Sequence, residues 1–219
     1  MTSPEAWRGR RIPILKILSA DFVTSAASGG RADDIPADGL AQIAFAGRSN
    51  VGKSTLLNAL TRTKLARTSA APGKTRLANV YRITLEGAPG GGPGRWRVYF
   101  VDLPGYGYAR GGSDAAAELS AVAAAYFRSA TPVVLHLVDS RHPGLDSDRD
   151  AGRWFDGLAI TRHVVATKVD KLTRSERTRN LKELERIFGR APLPVSAASG
   201  EGLDELWKLI ARAARDRHL

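Results

Sequence analysis

The 219-residue chain contains no cysteine and a single methionine. Without cysteine there is no disulfide framework, no thiolate metal centre and no thiol nucleophile. That suits a reducing compartment. No apolar run approaches the roughly 18 residues that a transmembrane helix needs, so no stable membrane association is expected. The best start for a secretory leader, Ile12 to Leu18, is cut by Lys16 and lacks a following small-residue cleavage site. A cytoplasmic protein is the expectation. Acidic residues are also scarce, 22 against 33 Lys and Arg, giving a formal charge of +11. Such an excess favours a polyanionic partner through phosphate neutralisation and counterion release. Nucleic acid or a ribonucleoprotein is the expected partner, with an anionic membrane surface or simple solubility as alternatives. The 43% hydrophobic and 25% charged residues are ordinary for a globular chain. The length suits one domain with short extensions.

The chain does carry Gly47-Arg48-Ser49-Asn50-Val51-Gly52-Lys53-Ser54, which fits the phosphate-binding pattern G-x-x-x-x-G-K-[ST]. The apolar run Gln42 to Ala46 precedes it, and Thr55 to Leu60 follows with leucines at helical spacing. A loop between a buried strand and a helix is the context that makes this pattern a site. Glycines let successive N–H groups turn inward around phosphate oxygens, and the helix start adds its positive dipole end. Lys53 would reach the β- and γ-phosphates, and the Ser54 hydroxyl would take Mg²⁺.

Ahead of this loop, Met1 to about Ala41 shows no strong periodicity. It reads either as a mobile arm that docks on a partner or as a lead-in packed on the domain edge. Beyond the first helix, Thr61 to Arg76 is polar and basic and contains Ala71-Pro72-Gly73-Lys74-Thr75. A loop of this length beside a phosphate site is usually functional. Asn79 to Leu85 alternates as a strand, Gly87 to Gly94 makes a wide turn, and Arg95 to Val101 answers as the antiparallel partner. That strand runs into Asp102-Leu103-Pro104-Gly105, a D-x-x-G pattern. Asp102 can hold Mg²⁺ through water, and the Gly105 N–H can bond a γ-phosphate and lose that contact when the phosphate leaves.

Later segments alternate. Helix is expected over Ala115–Phe127, strand over Pro132–Val138, helix over Asp148–Leu158 and strand over His163–Ala166. Thr167-Lys168-Val169-Asp170 follows and fits [NT]-K-x-D. The Asp170 carboxylate can accept both N1–H and the 2-amino hydrogens of guanine, a donor pair that adenine lacks. The Lys168 stem can cover one face of the base. Arg174–Phe188 reads as helix and Pro194–Val195 as a short strand. The strand leads to Ser196-Ala197-Ala198-Ser199-Gly200, where the Ala197 N–H can meet the guanine O6. Leu203 to about Arg215 closes the chain as a helix, with Leu203, Leu206, Trp207 and Ile210 on a core-facing stripe. Strands alternating with helices imply βαβ units and an α/β fold.

Phosphate loop, Thr loop, D-x-x-G, T-K-x-D and S-A-x-x-G occur in the order found in GTPases. With Thr68 to Thr75, Val101 to Tyr108, Val138-Asp139-Ser140-Arg141-His142-Pro143 and Ala166 to Lys171, they resemble the EngB (YihA/YsxC) family of ribosome-biogenesis GTP-binding proteins. That family lies within the TrmE-Era-EngA-EngB-Septin-like P-loop GTPases. D-x-P-G-Y-G-Y and D-S-R-H-P are the specific pieces. The resemblance spans about Ile43 to Ile210. It implies a three-layer P-loop NTPase of Ras-like type, with a mainly parallel six-stranded sheet, one antiparallel edge and helices on both faces. It also implies a partly flexible extension over 1–41 ahead of a G domain over 42–219. GTP/GDP and Mg²⁺ are the implied cofactors. The large ribosomal subunit and its rRNA are the implied partners, in late subunit assembly and normal cell division. A monomer is expected.

The implied nucleotide contacts are Gly47, Arg48, Ser49, Asn50, Val51, Gly52, Lys53, Ser54 and Thr55 in the phosphate loop, and Pro72, Gly73, Lys74 and Thr75 in the Thr loop. Asp102, Leu103, Pro104 and Gly105 follow, then Thr167, Lys168, Val169 and Asp170, then Val195, Ser196 and Ala197. Lys53, Thr75 and Gly105 are the implied catalytic set. Ser54, Thr75 and, through water, Asp102 are the implied Mg²⁺ ligands. Ras-like enzymes place a water-orienting Gln after D-x-x-G, whereas this chain has Tyr106, so slow intrinsic hydrolysis is expected. Help would come from the bound ribosomal particle or from K⁺, because Asn50 matches a K⁺-ligand position of related GTPases. Arg141 and His142 read as turn residues. Three other readings remain open: a GTP-sensing, ribosome-binding module with negligible turnover; a GTPase acting on tRNA modification or at membranes, a kind that usually carries an added domain; and an ATP-using P-loop enzyme, against which Asp170 argues.

Overall fold

The computed structural model describes residues 16–26, 36–65, 78–88, 92–106, 123–127, 132–158 and 160–215. Seven strands form one sheet: β1 (Ile17–Ala26), β2 (Gln42–Gly47), β3 (Ala78–Glu86), β4 (Arg95–Asp102), β5 (Val133–Asp139), β6 (Thr161–Thr167) and β7 (Leu193–Pro194), in the order β1-β3-β4-β2-β5-β6-β7. Strands β4, β2, β5, β6 and β7 run parallel to one another. β3 is antiparallel to both β4 and β1.

Six strands were expected and seven are present among the described residues; the expected antiparallel edge is there, built from β3 between β1 and β4. The added strand, β1, falls in the stretch that reads as aperiodic. Its register against β3 shifts between Ile17 and Ser19 and again between Phe22 and Thr24. Each irregularity breaks the two-residue alternation that betrays a strand in sequence. Leu18, Phe22 and Val23 on β1 are also exposed, so no buried face marks it.

Helices α1 (Lys53–Thr61), α2 (Asp146–Asp156), α3 (Arg174–Phe188) and α4 (Leu203–Arg215) flank the sheet. β2 is buried along all six residues, as a central parallel strand must be. Its alternation sorts the layers. Ile43 and Phe45 face Leu56, Leu57 and Leu60 of α1 and Leu206, Trp207 and Ile210 of α4. Ala44 and Ala46 face the other side, with Ala151 and Phe155 of α2 and Tyr126 from the helical residues 123–127. Leu184 and Phe188 of α3 cover Val138, Val164 and Ala166 on that same side. Most of the helix expected over Ala115–Phe127 lies outside the described residues. α2 starts two residues earlier than its periodicity suggests, after Leu145, with Asp146 and Asp148 in the first turn where the helix dipole favours them. α3 keeps its expected bounds because Thr173 and Glu176 form a reciprocal capping box and Gly189 ends it in the left-handed region.

Candidate functional site

At the C-terminal end of β2, five residues turn the chain into α1, the place where parallel α/β sheets take their ligands. Asn50 (φ 65°) and Gly52 (φ 103°) lie in the left-handed region, which folds the loop back on itself. Gly47 is required by contact. A Cβ there would sit 2.9 Å from the Leu137 carbonyl oxygen and 2.9 Å from Val51 Cγ1. α1 has no side-chain cap and no acidic residue in its first turn. Its N-terminal N–H groups and the dipole are therefore left for an external anion.

Lys53 opens α1, and its Nζ lies 2.6 Å from Asp102 Oδ1 at the end of β4. Asp102 is buried, and Oδ1 takes part in the ion pair without a directed hydrogen bond. A buried carboxylate oxygen with unfilled acceptor capacity beside the phosphate loop suits a hard cation or its bound water. Ser54, the second residue of α1, supplies a hydroxyl at the same end of the sheet. These oxygen donors fit Mg²⁺ chemistry.

The D-x-x-G segment is stitched to the phosphate loop. Leu103 N–H donates to the Phe45 carbonyl at 3.1 Å, and Ser49 N–H donates to the Tyr106 carbonyl at 2.9 Å. At Gly105 the two loops nearly touch, since a Cβ would lie 3.0 to 3.2 Å from Ser49 atoms.

The T-K-x-D side of the site is built from β5, β6 and the turn after β7. Thr167 Oγ1 lies 2.8 Å from the Val51 carbonyl and 3.1 Å from that of Val138, so this buried hydroxyl joins β6 to the phosphate loop and to β5. Lys168 takes a left-handed conformation (φ 61°), and its stem passes 3.7 Å from where a Gly52 Cβ would be. Its ammonium donates to the Asn50 carbonyl at 2.6 Å and to Asp139 Oδ2 at 2.9 Å. Arg141 donates to the same carboxylate, Nε to Oδ1 at 3.0 Å and a terminal nitrogen to Oδ2 at 2.8 Å. Burial alone would raise the Asp139 pKa, but the bonds from Arg141 and Lys168 outweigh it and lower it to about 2. Asp170 accepts from Ser196 Oγ at 2.6 Å, which holds its pKa below the usual carboxylate range. Val195 N–H donates to Ala166 and Val169 N–H to Val195, which draws the T-K-x-D and S-A loops together.

The fold thus gathers 47–55, 102–105, 167–170 and 195–197 at one end of the sheet. Pro72, Gly73, Lys74 and Thr75 lie outside the described residues. Arg141 behaves as the turn residue it was read to be, bonded to Asp139 two positions back. Three residues escaped the sequence reading: Asp139 as the anchor of Lys168, and His136 with Asp148 as partners of the Tyr106 hydroxyl. The available signal was a lone His inside the apolar strand Val133–Asp139.

A phosphate loop, a D-x-x-G loop and a T-K-x-D loop gathered at the strand ends of one mainly parallel sheet define a P-loop GTPase. The model of the family described as 50S ribosome-binding GTPase matches residues 42–184. The chain is 42% identical to the probable GTP-binding protein EngB of Solibacter usitatus, over 91% of this chain and 98% of that one. It is 38% identical to the probable EngB of Anaeromyxobacter sp. (strain K), over 92% and 94%. Among solved structures, Aquifex aeolicus Era bound to GDP·AlF4⁻ superposes with a TM-score of 0.64 at 26% identity, over 79% of this chain and 56% of Era. A probable GTP-binding protein EngB superposes at 0.55, over 80% and 100%, and at 24% identity it speaks for the fold alone. The chain belongs to the EngB family of GTP-binding proteins.

Proposed function

We propose that this GTPase is a nucleotide-controlled switch in assembly of the large ribosomal subunit, acting in the cytoplasm as a monomer and serving normal cell division. The carrying observation is the Ser49–Tyr106 bond, which makes the D-x-x-G loop and the phosphate loop one mechanical unit. A change at the γ-phosphate is thereby felt by a loop that a partner can read. The partner class is supported by the +11 charge and by the ribosome-binding description of the family. Era, a structural relative, has been solved with nucleotides 1506–1542 of 16S ribosomal RNA.

Lys53 and the amides of 48–54 neutralise the β- and γ-phosphates, and the Gly105 N–H holds the γ-phosphate. Asp170 and the Ala197 N–H read guanine. Ser54, Thr75 and, through water, Asp102 would hold Mg²⁺, which supplies charge neutralisation at the phosphates when bound. Lys53, now paired with Asp102, must exchange that partner for phosphate oxygens when nucleotide enters. Intrinsic hydrolysis is slow because Tyr106 offers no water-orienting amide. The bound particle, or K⁺ near Asn50, completes the site. A GTP-sensing module with negligible turnover is the second reading, favoured by the Tyr106 hydroxyl being engaged with His136 and Asp148.

Cosedimentation with large ribosomal subunits, in GDP and in GMPPNP across a salt series, tests the proposal. Binding that requires GMPPNP supports a switch. Equal binding in both nucleotides, lost as salt rises, would reduce the ribosome reading to non-specific attraction.

A further inference from the structure

Tyr106 is the last described residue of the D-x-x-G segment, and its ring leaves the loop for the interior. Only 4% of the residue is exposed. Its hydroxyl donates to Asp148 Oδ1 on α2 at 2.8 Å and lies 2.7 Å from His136 Nε2 on β5. A phenol carries one proton. With that proton on the carboxylate, His136 Nε2–H must be the donor to the phenol oxygen. The other ring nitrogen agrees. Arg162 can only donate, and its terminal nitrogen lies 3.4 Å from His136 Nδ1, which therefore accepts. One neutral tautomer satisfies every group, and burial with the nearby Arg162 charge keeps the ring neutral, at a pKa of about 3. Arg162 is itself fixed from outside by Asp156, at 2.7 Å.

The chain Arg162–His136–Tyr106–Asp148 thus joins β6, β5, the D-x-x-G loop and α2 through three directed hydrogen bonds. Two elements, β5 through His136 and α2 through Asp148, bond the phenol oxygen directly, and β6 steadies His136 through Arg162, more than packing a tyrosine ring needs. The backbone of that same residue holds the phosphate loop, accepting from Ser49 N–H and donating to the Gly47 carbonyl at 3.4 Å.

We propose that Tyr106 is a positioning residue, anchored by His136 and Asp148, which sets the 103–106 segment against the phosphate loop and so lets the site distinguish GTP from GDP. It deepens the proposed function, resting on the reading that Gly105 N–H meets the γ-phosphate. Tyr106 touches no reacting atom. It acts by keeping the Gly105 amide where a third phosphate would find it. GDP, lacking that phosphate, gains nothing from the anchor.

The test uses the full chain in wild-type, Tyr106→Phe, His136→Leu and His136→Gln forms. Hydrogen exchange over 103–106 and equilibrium affinity are measured with GDP and with GMPPNP. Phe keeps the ring and removes the hydroxyl. Gln restores an N–H where Nε2–H stood. The expected result is GMPPNP-specific protection of 103–106 in wild type and in His136→Gln, and its loss in Tyr106→Phe and His136→Leu. GMPPNP affinity should fall about tenfold in Tyr106→Phe while GDP affinity stays within about twofold, the share expected of one buried hydrogen bond. If wild type shows the protection and Tyr106→Phe keeps it, the anchor is only structural and the proposal is overturned. If wild type binds both nucleotides without GMPPNP-specific protection, the Gly105 reading fails and the proposal fails with it. Should His136→Leu not fold, Tyr106→Phe alone decides.

Discussion

The Lys168 ammonium donates to the Asn50 carbonyl oxygen at 2.6 Å, across 118 residues of sequence. The T-K-x-D loop is thereby tied directly to the phosphate loop. Lys168→Met keeps a stem that can lie along a base but removes the charge, leaving the buried Asp139 carboxylate to Arg141 alone. A hydrogen bond to a charged group contributes about 1.5 to 3 kcal/mol. Lys168→Met is expected to lower the thermal midpoint and to weaken GDP at least about tenfold, by loss of the pre-set geometry. Differential scanning fluorimetry with GDP titration measures both, and unchanged GDP affinity would remove the tie from the account.

Asp170→Asn tests base reading without threatening the fold. Asn Oδ1 can still accept from Ser196 Oγ, now 2.6 Å from the carboxylate, so the loops around 170 and 196 stay joined. The amide, however, offers a donor where the carboxylate accepted. Guanine then faces a mismatched donor, while xanthine, with a carbonyl in place of the 2-amino group, is matched. Rejection of a mispaired polar group reaches about 10⁴-fold in favourable sites. Competition between GDP and xanthosine diphosphate should reverse in favour of the latter. Guanine preference retained in the variant would contradict the assignment of Asp170.

Much of this architecture is legible in the sequence, for physical reasons. Phosphate loop, D-x-x-G and T-K-x-D are local patterns whose chemistry needs fixed residues at fixed spacing, and each falls at a strand end. α3 is legible because its cap is local, Thr173 with Glu176. β1 is not, because two register shifts erase its alternation and Phe22 faces solvent beside Tyr81. Its membership in the sheet comes from backbone pairing with β3, which sequence period does not encode. The anchor of Tyr106 is equally silent. His136 and Asp148 lie 30 and 42 residues away, and only the tertiary fold brings them to one oxygen.

Gly47→Ala should be costly although alanine suits most backbone conformations. The added methyl would meet the Leu137 carbonyl at 2.9 Å, and backbone of a central strand cannot retreat. β5 is pinned there by its ladder with β2. Overpacking of this kind costs about 1 to 3 kcal/mol. Urea unfolding should show the loss, and nucleotide affinity should fall too, because Gly47 also accepts from Tyr106 N–H. A variant as stable as wild type would mean that β2 and β5 separate more easily than the register implies.

His136 makes stability depend on pH. Its folded pKa is about 3 against an ordinary 6.5, because burial and the Arg162 charge oppose protonation. The group is depressed in the fold, so the unfolded chain binds the proton first. The stability it contributes is fully present above about pH 6.5 and is lost as pH falls from there toward 3, with a slope up to ~1.4 kcal/mol per pH unit. Asp139, depressed to about 2, adds its own loss only below its ordinary value of 3.8, a separate and lower window. Asp148 works against the trend, since burial raises its pKa and acidification relieves it. The clean measurement is therefore a difference. Urea denaturation of wild type and His136→Gln between pH 7.5 and 4.5 cancels the carboxylates common to both, and Gln cannot titrate. The gap between the two stabilities should close, or reverse in favour of Gln, as pH falls through 6. Parallel curves over that range would show that His136 takes up a proton as readily in the folded chain as in the unfolded one, and burial would then not be what keeps the ring neutral.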